Sequence, residues 1–433
     1  MKFQSTRGLE RDVKSAEGII RGIAKDGGLF VPDSFPNLYE TLKKDKGLSY
    51  EELAFKIIKE LFTDIDENEL RGAIDEAYNN RFKPELNKDA ALLFLPQIMK
   101  RAKKSLGVNE EIVILTATSG DTGKAALEGF SSVDGFKVVV YYPKNGVSAI
   151  QERQMATQEG DNVKVFGIKG NFDNAQTGVK KIFGDERLKE ELKKNGYILS
   201  SANSINIGRL VPQITYYFTS YRDLVNRKEI NPGDKVDFIV PTGNFGDILA
   251  GYFAYMTGLP VGRLVCASNE NNVLTEFFDT GVYRAKRDFH ITRSPSMDIL
   301  VSSNLERLIS LLLGTEKARV YMEKLKTDGE YAVTEDELIK LRDKFSAACA
   351  DDGEALEAIC EVFEKYGYLM DTHTAVAWSA AEKTKNESSN KTVILSTASP
   401  YKFPESVLKA LGVNSENKNE FELIEELHAL TKA

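Results

Sequence analysis

VPTGNFGDILAGYFAYMTGLP, residues 240–260, decides the fold. The apolar run VDFIV (236–240) has the β-branched character of a buried strand, and it passes straight into Gly243, Asn244, Phe245, Gly246 and Asp247. A helical pattern begins at once. Successive backbone N–H groups therefore converge at a helix N-terminus, an arrangement that receives a phosphate. Small residues are needed at both glycines, because backbone must come close to the phosphate and glycine admits positive φ.

Outward from this turn, short β-branched runs alternate with amphipathic stretches: IVILTAT (112–118), KVVVYYP (137–143), VKVFGI (163–168), VDFIV, RLVCAS (263–268) and TVILSTA (392–398). Strand, helix and strand in alternation predict a parallel, doubly wound sheet of the α/β class. Ligands of such sheets lie beyond the carboxyl ends of strands. TATSGDTG (116–123), GNFGD and the STASP turn all follow a strand directly. Residues 1–86 are mostly helical and charged, with i, i+3, i+4 apolar spacing in SYEELAFKIIKELF and NELRGAIDEAYNNRF, and form a separate N-terminal domain. Residues 87–303 and 371–412 make the α/β core, 304–370 a helical insertion, and 413–433 a C-terminal helix.

Composition narrows the function. With 65 acidic and 57 basic residues the net charge is −8, and no dense basic block occurs, which argues against a nucleic-acid partner. Three cysteines without CxxC spacing and three histidines supply no metal-ligand set, so no metal is expected. No apolar run approaches the ~18 residues of a membrane span, and the N-terminal MKFQSTRGLERD has no hydrophobic signal core. The expected setting is cytoplasmic. Gly123 and Lys124 suggest a P-loop, but Thr118 stands where its first glycine belongs and Ala125 where its Ser or Thr belongs.

GNFGD, TATSGDTG, ILSTASPYKF (394–403), SANSINIGR (201–209), SPSMDILVSSNLER (294–307) and GGLFVP (27–32) together resemble the threonine synthase family. The resemblance implies a tryptophan-synthase-β-like, fold-type-II architecture that binds pyridoxal 5′-phosphate (PLP). It implies the conversion of O-phospho-L-homoserine and water to L-threonine and phosphate by γ-elimination and β-addition. Gly243, Asn244, Phe245, Gly246 and Asp247 would hold the cofactor phosphate. Thr397 would face the pyridine nitrogen. Ser119 and Thr122 hydroxyls, with N–H groups at the helix start, would hold the substrate carboxylate, and the SANSIN turn, with Asn203 and Asn206, would lie by the cofactor face. Arg153 and Arg209 are guanidinium candidates for the substrate phosphate, with surface ion pairing as the other reading. NKDAALLFLP (87–96) falls in register with the family's lysine segment, which makes Lys88 the Schiff-base and proton-carrying lysine.

Just before that lysine the chain departs from the family pattern. RFKPEL (81–86) replaces a strand and an HGPT turn, and Lys83 to Asn87 span at most ~18 Å. A catalytically impaired or repurposed relative that binds PLP or a phospholigand is therefore the alternative, as is a related phospho-lyase. The expected partner is the small substrate, with the chain acting as a monomer or homodimer. His373, in DTHTAVAW (371–378), is expected as a core or capping histidine, and Ser302 and Ser303 as helix caps.

Overall fold

The structure is a computed structural model that describes every residue except 46, 79–89, 119, 120, 145, 148, 171, 416 and 433, and leaves aside the side chains of 90, 121, 122, 149, 150, 172, 173 and 180. Its chain forms two compact units: Met1–Thr219 with Met256–Gly258 and Glu306–Arg319, and Ser220–Tyr255 with Leu259–Leu305 and Val320–Ala433.

In the first unit, β1 (Phe3–Ser5) pairs antiparallel with β2 (Phe30–Pro32), the latter drawn from GGLFVP. The helix Tyr50–Leu61 starts at a capping box between Ser49 and Glu52 and buries Leu53, Ala54, Ile57, Ile58 and Leu61. That is the apolar stripe expected from its spacing. β3 (Glu111–Ala117), β4 (Phe136–Pro143), β5 (Val163–Ile168) and β6 (Tyr197–Ser200) form an all-parallel sheet in the order β5-β4-β3-β6. The helix Asp121–Phe130 leans on the helix Ala90–Leu106 where Gly129 meets Pro96 and the Leu92 carbonyl.

In the second unit, β7 (Val236–Pro241) and β8 (Val261–Ser268) precede the antiparallel pair β9 (Val282–Arg284) and β10 (Glu330–Ala332). β11 (Phe345–Cys349) and β12 (Lys391–Ile394) complete a second parallel sheet in the order β11-β8-β7-β12. Residues 304–370, read as a helical insertion without strong strand candidates, contribute both β10 and the sheet-edge strand β11 beside their helices. The physical reason is composition: apart from Phe345, FSAAC is built of small residues with weak strand preference, and its place is set by pairing with β8 rather than by propensity.

Both sheets wind alike. From β3 the chain moves outward through β4 and β5 and returns to β6 on the other side of β3. From β7 it moves through β8 and β11 and returns to β12 on the other side of β7. Each sheet therefore has a switch point, β3/β6 or β7/β12, the position at which open α/β sheets receive ligands.

Candidate active site

At the switch point of the second unit, β7 delivers GNFGD and β12 delivers Ser396 and Thr397. The two strands are in register at Ile239 and Ile394, and the Leu395 N–H bonds the Ile239 carbonyl at 3.0 Å. The helix Gly246–Met256 begins within the turn, with Asp247 in its first turn. Among the described residues, the amide N–H groups of Gly243, Asn244, Phe245 and Gly246 have no protein acceptor.

Positive φ was expected at the glycines, but it falls on Phe245, at 61°. An aromatic residue in this region is strained. What holds it is its fully buried ring, packed with the rings of Phe278 and Phe345 at 6.1 and 5.6 Å between centroids. Gly243 is required for a different reason than φ. A Cβ there would lie 2.9 Å from Ile299 Cδ1, 3.0 Å from the Ser296 carbonyl oxygen and 3.3 Å from Met297 Cα.

SPSMDILVSSNLER accounts for those contacts and for the shape of the turn. Ser302 Oγ donates to the Gly243 carbonyl at 2.6 Å, and Asn304 donates its backbone N–H and its Nδ2 to the Asn244 carbonyl at 3.1 and 2.9 Å. Ser302, expected as a helix cap, spends its hydroxyl on the glycine turn instead. Asp298 anchors the other end of the segment: Asn269, Asn271 and Thr292 all donate to its carboxylate. Burial pushes the Asp298 carboxyl up, against the lowering effect of those bonds.

Thr397 is buried, and its Oγ1 has no hydrogen-bond partner among the described residues. Asn244 Oδ1 is likewise buried and unpartnered. A buried polar atom without a partner costs roughly 1–3 kcal/mol. His373 is buried in a polar clasp: Nδ1 lies 2.9 Å from Asp371 Oδ1, and Nε2 accepts the Ser296 N–H at 3.1 Å. With both nitrogens engaged it sits in the core, as expected. Burial opposes charge on Asp371, yet the hydrogen bonds from His373 and Thr374 outweigh it and hold the carboxyl below its usual range.

At the switch point of the first unit, Thr118 Oγ1 accepts the Gly123 N–H at 2.9 Å and its methyl closes on Gly123. Asn203, half-buried after β6, reaches the Ala117 carbonyl at the end of β3 through Nδ2 at 3.3 Å. Asn206 is fully committed: Nδ2 donates to the Ile19 and Ser201 carbonyls, both at 2.9 Å, and Oδ1 caps the Gly208 N–H. Arg209 is buried, with Nη1 on the Ala202 carbonyl at 2.8 Å, which leaves no room for the surface-pair reading. Arg153 is exposed on the helix Ala149–Ala156. Lys88 and Ser119 lie outside the described residues, as does the side chain of Thr122.

Missed by sequence reasoning were Ser302 and Asn304 as props of the turn and Asp371 as the carboxylate beneath it. Their signal was present in SPSMDILVSSN and DTHT, but hydrogen bonds between residues far apart in the chain carry no periodicity.

A family model described as threonine synthase N terminus matches residues 2–78, one described as pyridoxal-phosphate dependent enzyme matches 87–399, and one described as threonine synthase, C-terminal, matches 374–433. RFKPEL falls between the first two. A threonine synthase of Pseudomonas aeruginosa is 37% identical over 95% of this chain and 90% of its own length. The PLP-bound threonine synthase structure from Brucella melitensis superposes with a TM-score of 0.86 at 33% identity, covering 100% of both chains. The yeast threonine synthase structure does so at 0.85 and 32%, covering 99% of this chain and 94% of the other.

Proposed function

This chain belongs to the threonine synthase family, a PLP-dependent lyase family, and on that premise we propose how its own residues convert O-phospho-L-homoserine and water to L-threonine and phosphate. The observation that carries the reading is the pair of unmet demands at one switch point: amide N–H groups of the glycine turn without acceptors, and a buried Thr397 hydroxyl without a partner. An anion and a ring nitrogen at the two ends of one ligand meet both. PLP has those two ends.

When bound, PLP supplies the electron sink that acidifies the protons of the attached amino acid. Gly243 to Asp247 hold its phosphate by main-chain N–H groups and the helix N-terminus. Thr397 faces the ring nitrogen with a neutral hydroxyl, which leaves that nitrogen less protonated than a carboxylate would and moderates the sink. Lys88 carries the cofactor and moves protons at Cα and Cβ of the substrate. Ser119, Thr122 and Asn203 orient the substrate carboxylate and cofactor face. Arg209 or Arg153 pairs with the departing phosphate. Arg209 already has its guanidinium in a buried setting, where ion pairing is stronger than at the exposed Arg153.

The segments 1–86, 87–303 with 371–412, 304–370 and 413–433 are our proposed domain scheme. We also infer a cytoplasmic enzyme, monomeric or homodimeric. In support, the three cysteines are free, and burial pushes the Cys266 thiol up to about 12, as suits an inert thiol. No described helix is long and apolar enough to cross a membrane.

The test is a phosphate-release assay with O-phosphohomoserine, paired with borohydride reduction and peptide mapping. Turnover with the pyridoxyl group on Lys88 is the expected result. A label on another lysine removes the Lys88 assignment, and a labelled protein without turnover favours a repurposed relative.

A further inference from the structure

Asp371 stands at the N-cap of the helix Thr372–Thr384, fully buried, and does more than a cap requires. A cap needs one oxygen for the first free N–H groups, a task that Ser or Asn performs equally well. Here Oδ1 accepts the His373 backbone N–H and also meets His373 Nδ1, each at 2.9 Å, while Oδ2 accepts the Thr374 hydroxyl.

The first arm runs through the histidine. Nδ1–H donation to the carboxylate leaves the Nε2 lone pair free to accept. Nε2 takes the Ser296 N–H at 3.1 Å. Ser296 and Met297 are the residues whose backbone lies 3.0 and 3.3 Å from a Cβ placed on Gly243, so they form the wall behind the glycine turn. The other face of the imidazole lies against Phe403, centroids 4.9 Å apart, at the end of the STASPYKF segment. The second arm runs through Thr374, whose Oγ1 is 3.4 Å from Ser396 Oγ. Ser396 is the neighbour of Thr397, and the Tyr368 hydroxyl reaches it from another side at 3.3 Å.

One carboxylate is thus two hydrogen bonds from the wall of the phosphate turn and two from the residue beside the ring-nitrogen hydroxyl. We propose that His373 and Thr374, both held by Asp371, are positioning residues that set the distance between the phosphate cup and Thr397, and so gauge the length of the cofactor. The inference rests on the cofactor placement proposed above. None of the three residues need touch the cofactor.

The test separates an acceptor at Nε2 from mere bulk. His373→Gln keeps an acceptor that reaches Ser296, His373→Asn keeps only the bond to Asp371, and His373→Leu keeps neither. PLP affinity of the cofactor-free protein is titrated by absorbance, with the unfolding midpoint measured separately. Asn and Leu should each raise the Kd for PLP by about fivefold or more, the loss of one net hydrogen bond, while Gln stays within about twofold of the parent. Thr374→Val should hold the Kd within about twofold and shift the absorption band of the bound cofactor. Equal behaviour of Gln and Asn, whether parental or weakened, overturns the proposal even if Leu fails to fold. Gly243→Val is the control for placement. If it retains PLP, the placement itself is wrong; if it loses PLP while every His373 variant binds like the parent, only the positioning role is removed.

Discussion

The two switch points share one winding and differ in what they offer a ligand. Past β7 and β12 the donors are main-chain N–H groups in a turn whose every prop is satisfied: Ser302 on Gly243, Asn304 on Asn244, Phe245 clamped by two aromatic rings. Past β3 and β6 the polar groups identified among the described residues are side chains, with Thr118 closed on its own turn and Asn203 bridging to β3. A main-chain cup has no rotamers to freeze when it is loaded, which suits a group that stays bound through many turnovers. Side chains on turns must be ordered by each ligand, at a cost of about 0.5–1.5 kcal/mol apiece, which suits a substrate that leaves.

That contrast breaks first at Gly243. Gly243→Val forces a side chain onto backbone atoms of Ser296 and Met297 that cannot yield, so PLP retention on dialysis should fall by about a hundredfold or more, two lost charge-assisted bonds. Parental retention would mean that the phosphate is held elsewhere. In the other region, Asn203→Ala should cut kcat/KM by about ten- to a hundredfold, the worth of a bond to a charged group, with a much smaller effect on PLP affinity; a variant that loses PLP outright would erase the distinction between the regions. Thr397→Val keeps shape and removes the hydroxyl, so PLP affinity should fall about tenfold with a changed absorption band, and a parental spectrum would move the role to Ser396. Asn206→Ala removes three framework bonds and should lower unfolding stability by about 1–3 kcal/mol while the spectrum of bound PLP stays parental. The smallest effect is acid sensitivity. The Asp371 carboxyl is depressed in the folded state, so its stabilising contribution is complete above the unfolded value of 3.8 and is lost as pH falls through the lower folded value. Acid unfolding followed by tryptophan fluorescence should carry this step, and Asp371→Asn should remove it.

Much of this was legible in the chain. The strands of VDFIV and KVVVYYP, and the glycine turn between strand and helix, follow from patterns that act over a few residues. Where pattern failed, distant partners decided. YILS is short, with only Ser200 buried, and becomes a strand because Glu111 to Ile114 lie beside it. FSAAC has a single strand former, Phe345, and is placed by β8. The positive φ at Phe245 contradicts its local preference and is held by Phe278 and Phe345, residues far downstream. That Asn206 is spent on the framework could not be read from SANSIN, because its partner, the Ile19 carbonyl, lies far upstream.

The pairing of β12 with β7 also dictates when the site can exist. Val236 meets Lys391, its neighbour across the sheet but a residue made far later. At roughly 5–20 residues per second, a ribosome delivers β12 on the order of ten seconds after β7. During that interval the glycine turn is already synthesised, while Thr397 and the strand that seats it are not. The half of the switch point that β12 builds is therefore missing from the nascent chain. The pocket is complete only at the last stage of synthesis or after it, and until then the bare edge of β7 is a strand in search of a neighbour, open to chaperones and to mispairing.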